Sequence, residues 1–161
     1  MAEETWPHDG GVATDTETIF EQIVKVPGIE GVTFLGGEPF EQPEAVAALA
    51  ERIKAGTGLS VVTFTGRMYE ELRSADDPDI RKILASTDLL IDGPFIQEQF
   101  DLSRPWVGSL NQRFHFLSGR YSGNDLIGIQ NQIELRIATN GTILINGMGD
   151  FLKIKEHLRG V

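Results

Sequence analysis

Apolar positions along this chain fall into short blocks that switch between two periods. The lead-in, residues 1–13, is irregular and broken by Pro7 and by the pair Gly10-Gly11. Thr14 or Asp15 can cap a helix, with Glu17 at the start of its first turn. Ile19, Phe20, Ile23 and Val24 then recur at helical spacing until Pro27-Gly28 stops the run. Residues 31–35 form a short β-rich run that reads as a buried strand. Residues 43–56 form the clearest helix, with Pro43 suited to the first turn and Val46, Leu49, Ala50 and Ile53 on one face. A second strand is expected over 59–64, short helices over 68–73 and 78–86, and a third strand over 89–91, closed by Asp92-Gly93-Pro94.

Three strand-then-helix steps, each strand apolar on both faces, predict a parallel sheet covered by helices. The pattern changes after that. Residues 97–122 are polar and irregular, with a short strand possible over 114–117. Residues 132–137 and 142–145 alternate around Asn140-Gly141, a strong hairpin signal, and a last helix is expected from about Asp150 to Leu158. The expected class is α/β, an open and mainly parallel sheet with flanking helices plus a C-terminal β-hairpin and helix. The expected organisation is a single domain, 1–161, with a core over 1–122 and an extension over 123–161.

Composition narrows the chemistry. A length of 161 residues suits one domain with a core of its own, and 40% apolar with 24% charged residues is ordinary globular usage. A formal charge of −10 argues against a polyanion partner, and the arginines are scattered, so no nucleic-acid surface is expected. No apolar run approaches the roughly 20 residues of a membrane span. No secretory signal is visible, so a cytoplasmic location is the default. The sharpest fact is the absence of cysteine, which excludes disulfides, thiol nucleophiles, thiolate zinc sites and thiolate-held iron–sulfur clusters. His8, His115 and His157 are too far apart for a local metal motif and read as surface or packing residues.

In open parallel sheets, ligands bind beyond the carboxyl ends of the strands. Three such ends are readable: Gly36-Gly37-Glu38-Pro39, Thr65-Gly66 and Asp92-Gly93-Pro94. A glycine pair lets backbone N–H and C=O groups approach a ligand, and the same glycines serve equally well as tight turns. Glu38 can accept from an ammonium group, and Asp92 from an amine or a ribose hydroxyl.

Gly31-Val32-Thr33-Phe34-Leu35-Gly36-Gly37-Glu38-Pro39-Phe40-Glu41-Gln42-Pro43 resembles the GGEP segment of radical SAM enzymes. Thr63 to Gly66, Leu89 to Phe95 and the run Gly108 to Arg113 follow in an order similar to that of glycyl-radical-activating proteins. Within these, the likeness is to the activase of anaerobic ribonucleotide reductase and its single-cluster relatives. It covers about Thr5 to Arg113 and weakens beyond Phe114. The resemblance implies that Gly36, Gly37, Glu38 and Pro39 bind the methionine end of S-adenosylmethionine. Thr65 would stand at the next strand end, and Asp92 and Gly93 would touch the cofactor. A lysine can follow that segment in related activases, whereas Pro94 stands near its place here. Gly108, Ser109, Asn111, Gln112 and Arg113 match a family signature of unassigned role, in which Arg113 either pairs with a carboxylate or closes the sheet.

The family carries CxxxCxxC in a loop ahead of its first helix, where three thiolates hold a [4Fe–4S] cluster and a fourth iron chelates S-adenosylmethionine. Here the residues that would follow the last of those cysteines are Glu4-Thr5-Trp6-Pro7, and no other residue set replaces three soft thiolates. The expectation is an S-adenosylmethionine-binding core without catalytic or metal-ligating residues of its own. Its cofactor affinity would be weak, and its ancestral partner would be a glycyl-radical enzyme. The other readings are a non-catalytic protein-binding or regulatory module on the same fold, and a flavodoxin-like or nucleotide-binding domain. The last lacks both GxGxxG and a P-loop lysine. If the chain is a fragment, the coding DNA ahead of Met1 holds an in-frame CxxxCxxC; an upstream stop codon with no such segment favours the module.

Overall fold

The structure, a computed structural model, describes residues 12–147 and Gly149. Contacts divide the chain into two compact units, Met1–Pro94 with Arg113–Ser122 and Phe95–Gln112 with Gly123–Val161, and each is described by itself.

The first unit is built on a four-stranded sheet of order β1-β2-β3-β4, comprising Gly31–Phe34, Ser60–Phe64, Leu89–Asp92 and Arg113–Phe116. β1, β2 and β3 run parallel, in register Gly31↔Ser60 and Val62↔Leu89. β4 returns antiparallel, with Asp92 opposite Arg113 and Leu89 opposite Phe116. The sheet is therefore mixed and mostly parallel. The expectation of strands apolar on both faces holds for β3, which is buried along its whole length. It fails for β1: as an edge strand it is only half-buried, and Thr33 is exposed.

The helices start where their chemistry permits. In α1, Thr16–Val24, the Asp15 carboxylate accepts from Thr18 N–H and caps the first turn. Pro43 and Pro78 open α2, Pro43–Gly56, and α4, Pro78–Ser86, where a missing N–H costs nothing. Between them lies the short α3, Tyr69–Ser74. α2 serves two core clusters: Ala47 packs with Phe40, Leu72, Ile80, Ile83 and Leu90, while Leu49 and Ile53 pack with Phe20 and Val61. Of the apolar face expected on α1, only Phe20 is buried, and Val24 is exposed.

β3 ends in a buried carboxylate on each side. At its start Asp88, 2% exposed, accepts from Lys54 Nζ at 2.8 Å, Val61 N–H at 2.8 Å and Ser118 Oγ at 2.6 Å. Burial pushes its pKa up. Lys54, Ser118 and the Val61 N–H more than offset that push, so the acid sits below its ordinary value. The pair thereby ties α2 and β2 to the start of β3.

In the second unit, Arg104 donates to the carbonyls of Ser109, Leu110 and Gln112, and Gln112 Oε1 accepts from Gly108 N–H. Asn131 binds Trp106 N–H and the carbonyls of Leu102 and Arg104, which holds Trp106 at a left-handed φ of 63°. β5, Ile133–Ile137, and β6, Ile143–Gly147, form the expected antiparallel hairpin. The helix expected over 150–158 lies outside the described residues.

Ile53 is fully buried under the sheet. Ile53→Ala is expected to cost about 2–5 kcal/mol by loss of apolar burial plus the cavity left behind, read from denaturant midpoints.

Candidate functional site

Because β1, β2 and β3 are parallel, their carboxyl ends meet one edge, and the structure brings the sequence-predicted residues together there. Beyond β1, Gly36 and Gly37 take φ of 86° and 54°, and both are exposed. Those angles lie in the left-handed region that glycine enters without a Cβ penalty. Apart from Gly36 and its two chain neighbours, no heavy atom lies within 4 Å of where a Cβ on Gly36 would stand, so open space borders this backbone.

Glu38 follows and joins two strand ends. Its Oε1 accepts from Phe40 N–H at 3.1 Å and from Thr65 Oγ1 at 2.8 Å, and its Oε2 accepts from Gly66 N–H at 2.8 Å. Thr65 Oγ1 in turn accepts from Arg67 N–H at 3.0 Å. Pro39 is buried at the start of a single 3-10 turn over Pro39–Glu41. Gly93, at φ 101°, donates its N–H to Arg67 C=O at 3.2 Å. Glu38, Thr65 and Gly93 thus belong to one hydrogen-bonded rim.

Asp92 closes that rim from inside. Its side chain has no exposed surface, and it accepts from Tyr69 N–H at 2.7 Å and from Arg113 Nε at 3.0 Å, with a second, short contact to Arg113 Nη2. His115 Nε2 lies 3.1 Å from Asp92 Oδ1 without the alignment of a hydrogen bond, and its ring packs on Tyr69 at 4.4 Å. Burial pushes the Asp92 carboxyl up, but Arg113, the Tyr69 N–H and His115 outweigh it and hold the pKa below the usual carboxylate range. Arg113 also forms a bidentate pair with Glu70, at 3.0 and 2.7 Å, and these two carboxylates raise its own pKa.

Sequence reading placed Asp92 at this edge but missed Tyr69, Glu70 and His115. Glu70 and Arg113 stand 43 residues apart, and no local spacing announces such a pair. The run Gly108 to Arg113 divides: Gly108–Gln112 belongs to the second unit, while Arg113 begins β4. A groove of about 580 Å³ lies at the opposite, amino edge of the strands, lined by Ile23, Val26, Ile29, Leu59, Arg120 and Tyr121. It contains none of the glycines or carboxylates of the rim.

Comparison with known proteins gives this arrangement a family. Residues 1–115 match the family model described as 4Fe-4S single cluster domain, and the chain belongs to that family. Its relatives carry a more particular name. The chain is 34% identical over 121 residues to the anaerobic ribonucleoside-triphosphate reductase-activating protein of Haemophilus influenzae, covering 70% of this chain and 75% of that one. The proteins of the same name in Vibrio cholerae and Escherichia coli are 35% and 31% identical over 88 and 91 residues, and the chain spans 54% and 56% of their lengths. No solved structure matches the chain at comparable significance.

The donor set does not fit the cluster that names the family. The sequence contains no cysteine, and among the described residues no group of three or more His, Asp or Glu is arranged to hold a metal ion. Oxygen donors and dispersed imidazoles do not replace thiolates for such a cluster. No helix among the described residues is long and apolar enough to cross a membrane.

The lowered pKa of Asp92 sets a pH dependence. Its contribution to stability is complete above the unfolded-state value of roughly 3.9 and is lost as pH falls through the lower folded-state value. Asp92→Asn is expected to lower the urea midpoint at neutral pH and to flatten its decline in acid. A variant whose acid slope matches the parent removes Asp92 as a source of that decline.

Proposed function

We propose that this chain is the S-adenosylmethionine-binding core of a radical SAM activating enzyme, acting on a glycyl-radical partner. With no cysteine to ligate the cluster, these residues by themselves would be inactive in radical formation. The relatives' name, reductase-activating protein, supports the partner class. The observation that carries the cofactor assignment is the exposed Gly36-Gly37 backbone beside the Glu38 carboxylate, on the rim where three parallel strands end.

In this reading Gly36 and Gly37 offer backbone hydrogen bonds to the methionine end of the cofactor, and Pro39 fixes the exit of the chain. Glu38 keeps its bonds to Thr65 and Gly66 while a lone pair on Oε2 meets the ligand ammonium. Gly93 lets the chain leave β3 next to the Arg67 carbonyl. Asp92, without exposed surface, acts through Arg113 instead of touching the ligand. In the family a bound cluster supplies the electron that cleaves the sulfonium. This chain's residues bind and orient, and no radical step is assigned to them. The core is read as a shortened form of the partial barrel of radical SAM enzymes.

The second reading, a protein-binding module, is favoured by the hairpin. Leu135 and Ile137 share one face of it and are 46% and 73% exposed.

Calorimetry with S-adenosylmethionine is expected to show weak binding, with a dissociation constant of roughly 100 μM or above. Gly37→Val is expected to abolish it, because a β-branched residue resists a φ of 54°, whereas Gly37→Asn tolerates that angle and retains binding. Equal affinity in Gly37→Val refutes the assignment of this turn. A silent titration of the parent chain hands precedence to the module.

A further inference from the structure

We propose that the outer edge of the Arg113 guanidinium is the receptor for a ligand carboxylate, and that Glu70 occupies it in the free chain as an internal stand-in. The inference rests on the cofactor reading, and the carboxylate it names is that of the methionine moiety of S-adenosylmethionine. Arg113 stands opposite Asp92 in the β3–β4 register, so its guanidinium is fixed at the carboxyl edge of the parallel strands. Its two carboxylate partners are unequal. Asp92 is fully buried, takes Nε and Nη2 and is itself held by the Tyr69 N–H, so the inner pair sets the plane of the fork. Glu70 reaches Nη1 and Nη2 from the first turn of α3 with its side chain 65% exposed.

A planar fork held rigidly from behind presents two parallel N–H groups, the geometry that receives a carboxylate in bidentate fashion. The Glu70 contacts, at 3.0 and 2.7 Å, show that a carboxylate fits there. An exposed ion pair contributes little net stability, so exchanging one carboxylate for another leaves Arg113 neutralised at small cost. The inner pair does not exchange, because withdrawing the guanidinium from Asp92 would leave that fully buried carboxylate without its cation. Among the described residues, Arg113 pairs with two carboxylates of this rim, Asp92 from inside and Glu70 from outside. In a chain without cysteine no cluster iron is available to chelate the amino-acid end of the cofactor, and Arg113 is the cation prepared to meet its carboxylate. Glu70 is then a competitor whose removal favours the ligand.

The test compares S-adenosylmethionine with 5′-methylthioadenosine, which keeps the nucleoside and the S-methyl group but lacks the amino-acid arm and, being a neutral thioether, the sulfonium charge. Both are titrated into the full chain and into Glu70→Ala. Glu70→Gln, which preserves side-chain volume, serves as the second variant, and thermal melts establish folding. Both substitutions are expected to tighten S-adenosylmethionine about three- to tenfold and to leave 5′-methylthioadenosine unchanged, so the ratio of the two affinities rises. If both ligands bind and the ratio stays level or falls, the Arg113 receptor is wrong while the cofactor reading stands. If neither ligand binds any form, both fall together.

Discussion

Two buried carboxylates bracket the central strand, and much of the first unit is arranged to compensate them. Asp88 and Asp92 sit at opposite ends of β3, 2% and 0% exposed, where an uncompensated charge would be prohibitively costly. Asp88 is met by Lys54 from α2, the Val61 N–H from β2 and Ser118 from the segment after β4. Asp92 is met by Arg113 from β4 and the N–H that opens α3. Each carboxylate therefore specifies which elements stand beside β3. The antiparallel return of β4 matters here because it alone brings Arg113 level with Asp92.

The same constraint shapes the candidate edge. Parallel strands concentrate their carboxyl ends, and the polar groups there must be satisfied by the chain, by water or by a ligand. Glu38 satisfies several at once, linking the ends of β1 and β2, and thereby holds the exposed Gly36-Gly37 backbone in a fixed relation to β2. The rim is consequently rigid at its base and open at its lip. Membership in the 4Fe-4S single cluster domain family agrees with this geometry, even though the thiolates that would complete it are absent from these residues. Within these residues the fold and the glycine rim stand without cluster ligands.

What was legible in the sequence follows from how local each signal is. The bounds of α2 and α4 were readable because Pro43 and Pro78 mark a first turn and the apolar spacing does the rest. The glycine rim was readable because Gly36-Gly37 directly follows a β-rich run, and the hairpin because Asn140-Gly141 lies between alternating segments. The half-exposure of β1 was not readable, since edge position is decided by strand order and not by composition. For Arg113 the sequence left open carboxylate pairing or a place closing the sheet, and it does both, but its partners were hidden: folding pairs it with Asp92 and with Glu70 of α3 from the first position of β4. A charge pair across 43 residues is a product of topology.

The central claim is that the glycine rim, and no other surface of the first unit, meets S-adenosylmethionine. The most direct measurement is a titration of the isotope-labelled chain followed residue by residue through its amide resonances. The account predicts fast-exchange shifts concentrated at Gly36, Gly37, Gly66 and Gly93. Shifts confined to the opposite groove around Ile23, Leu59 and Tyr121, with the rim amides unmoved, would contradict it.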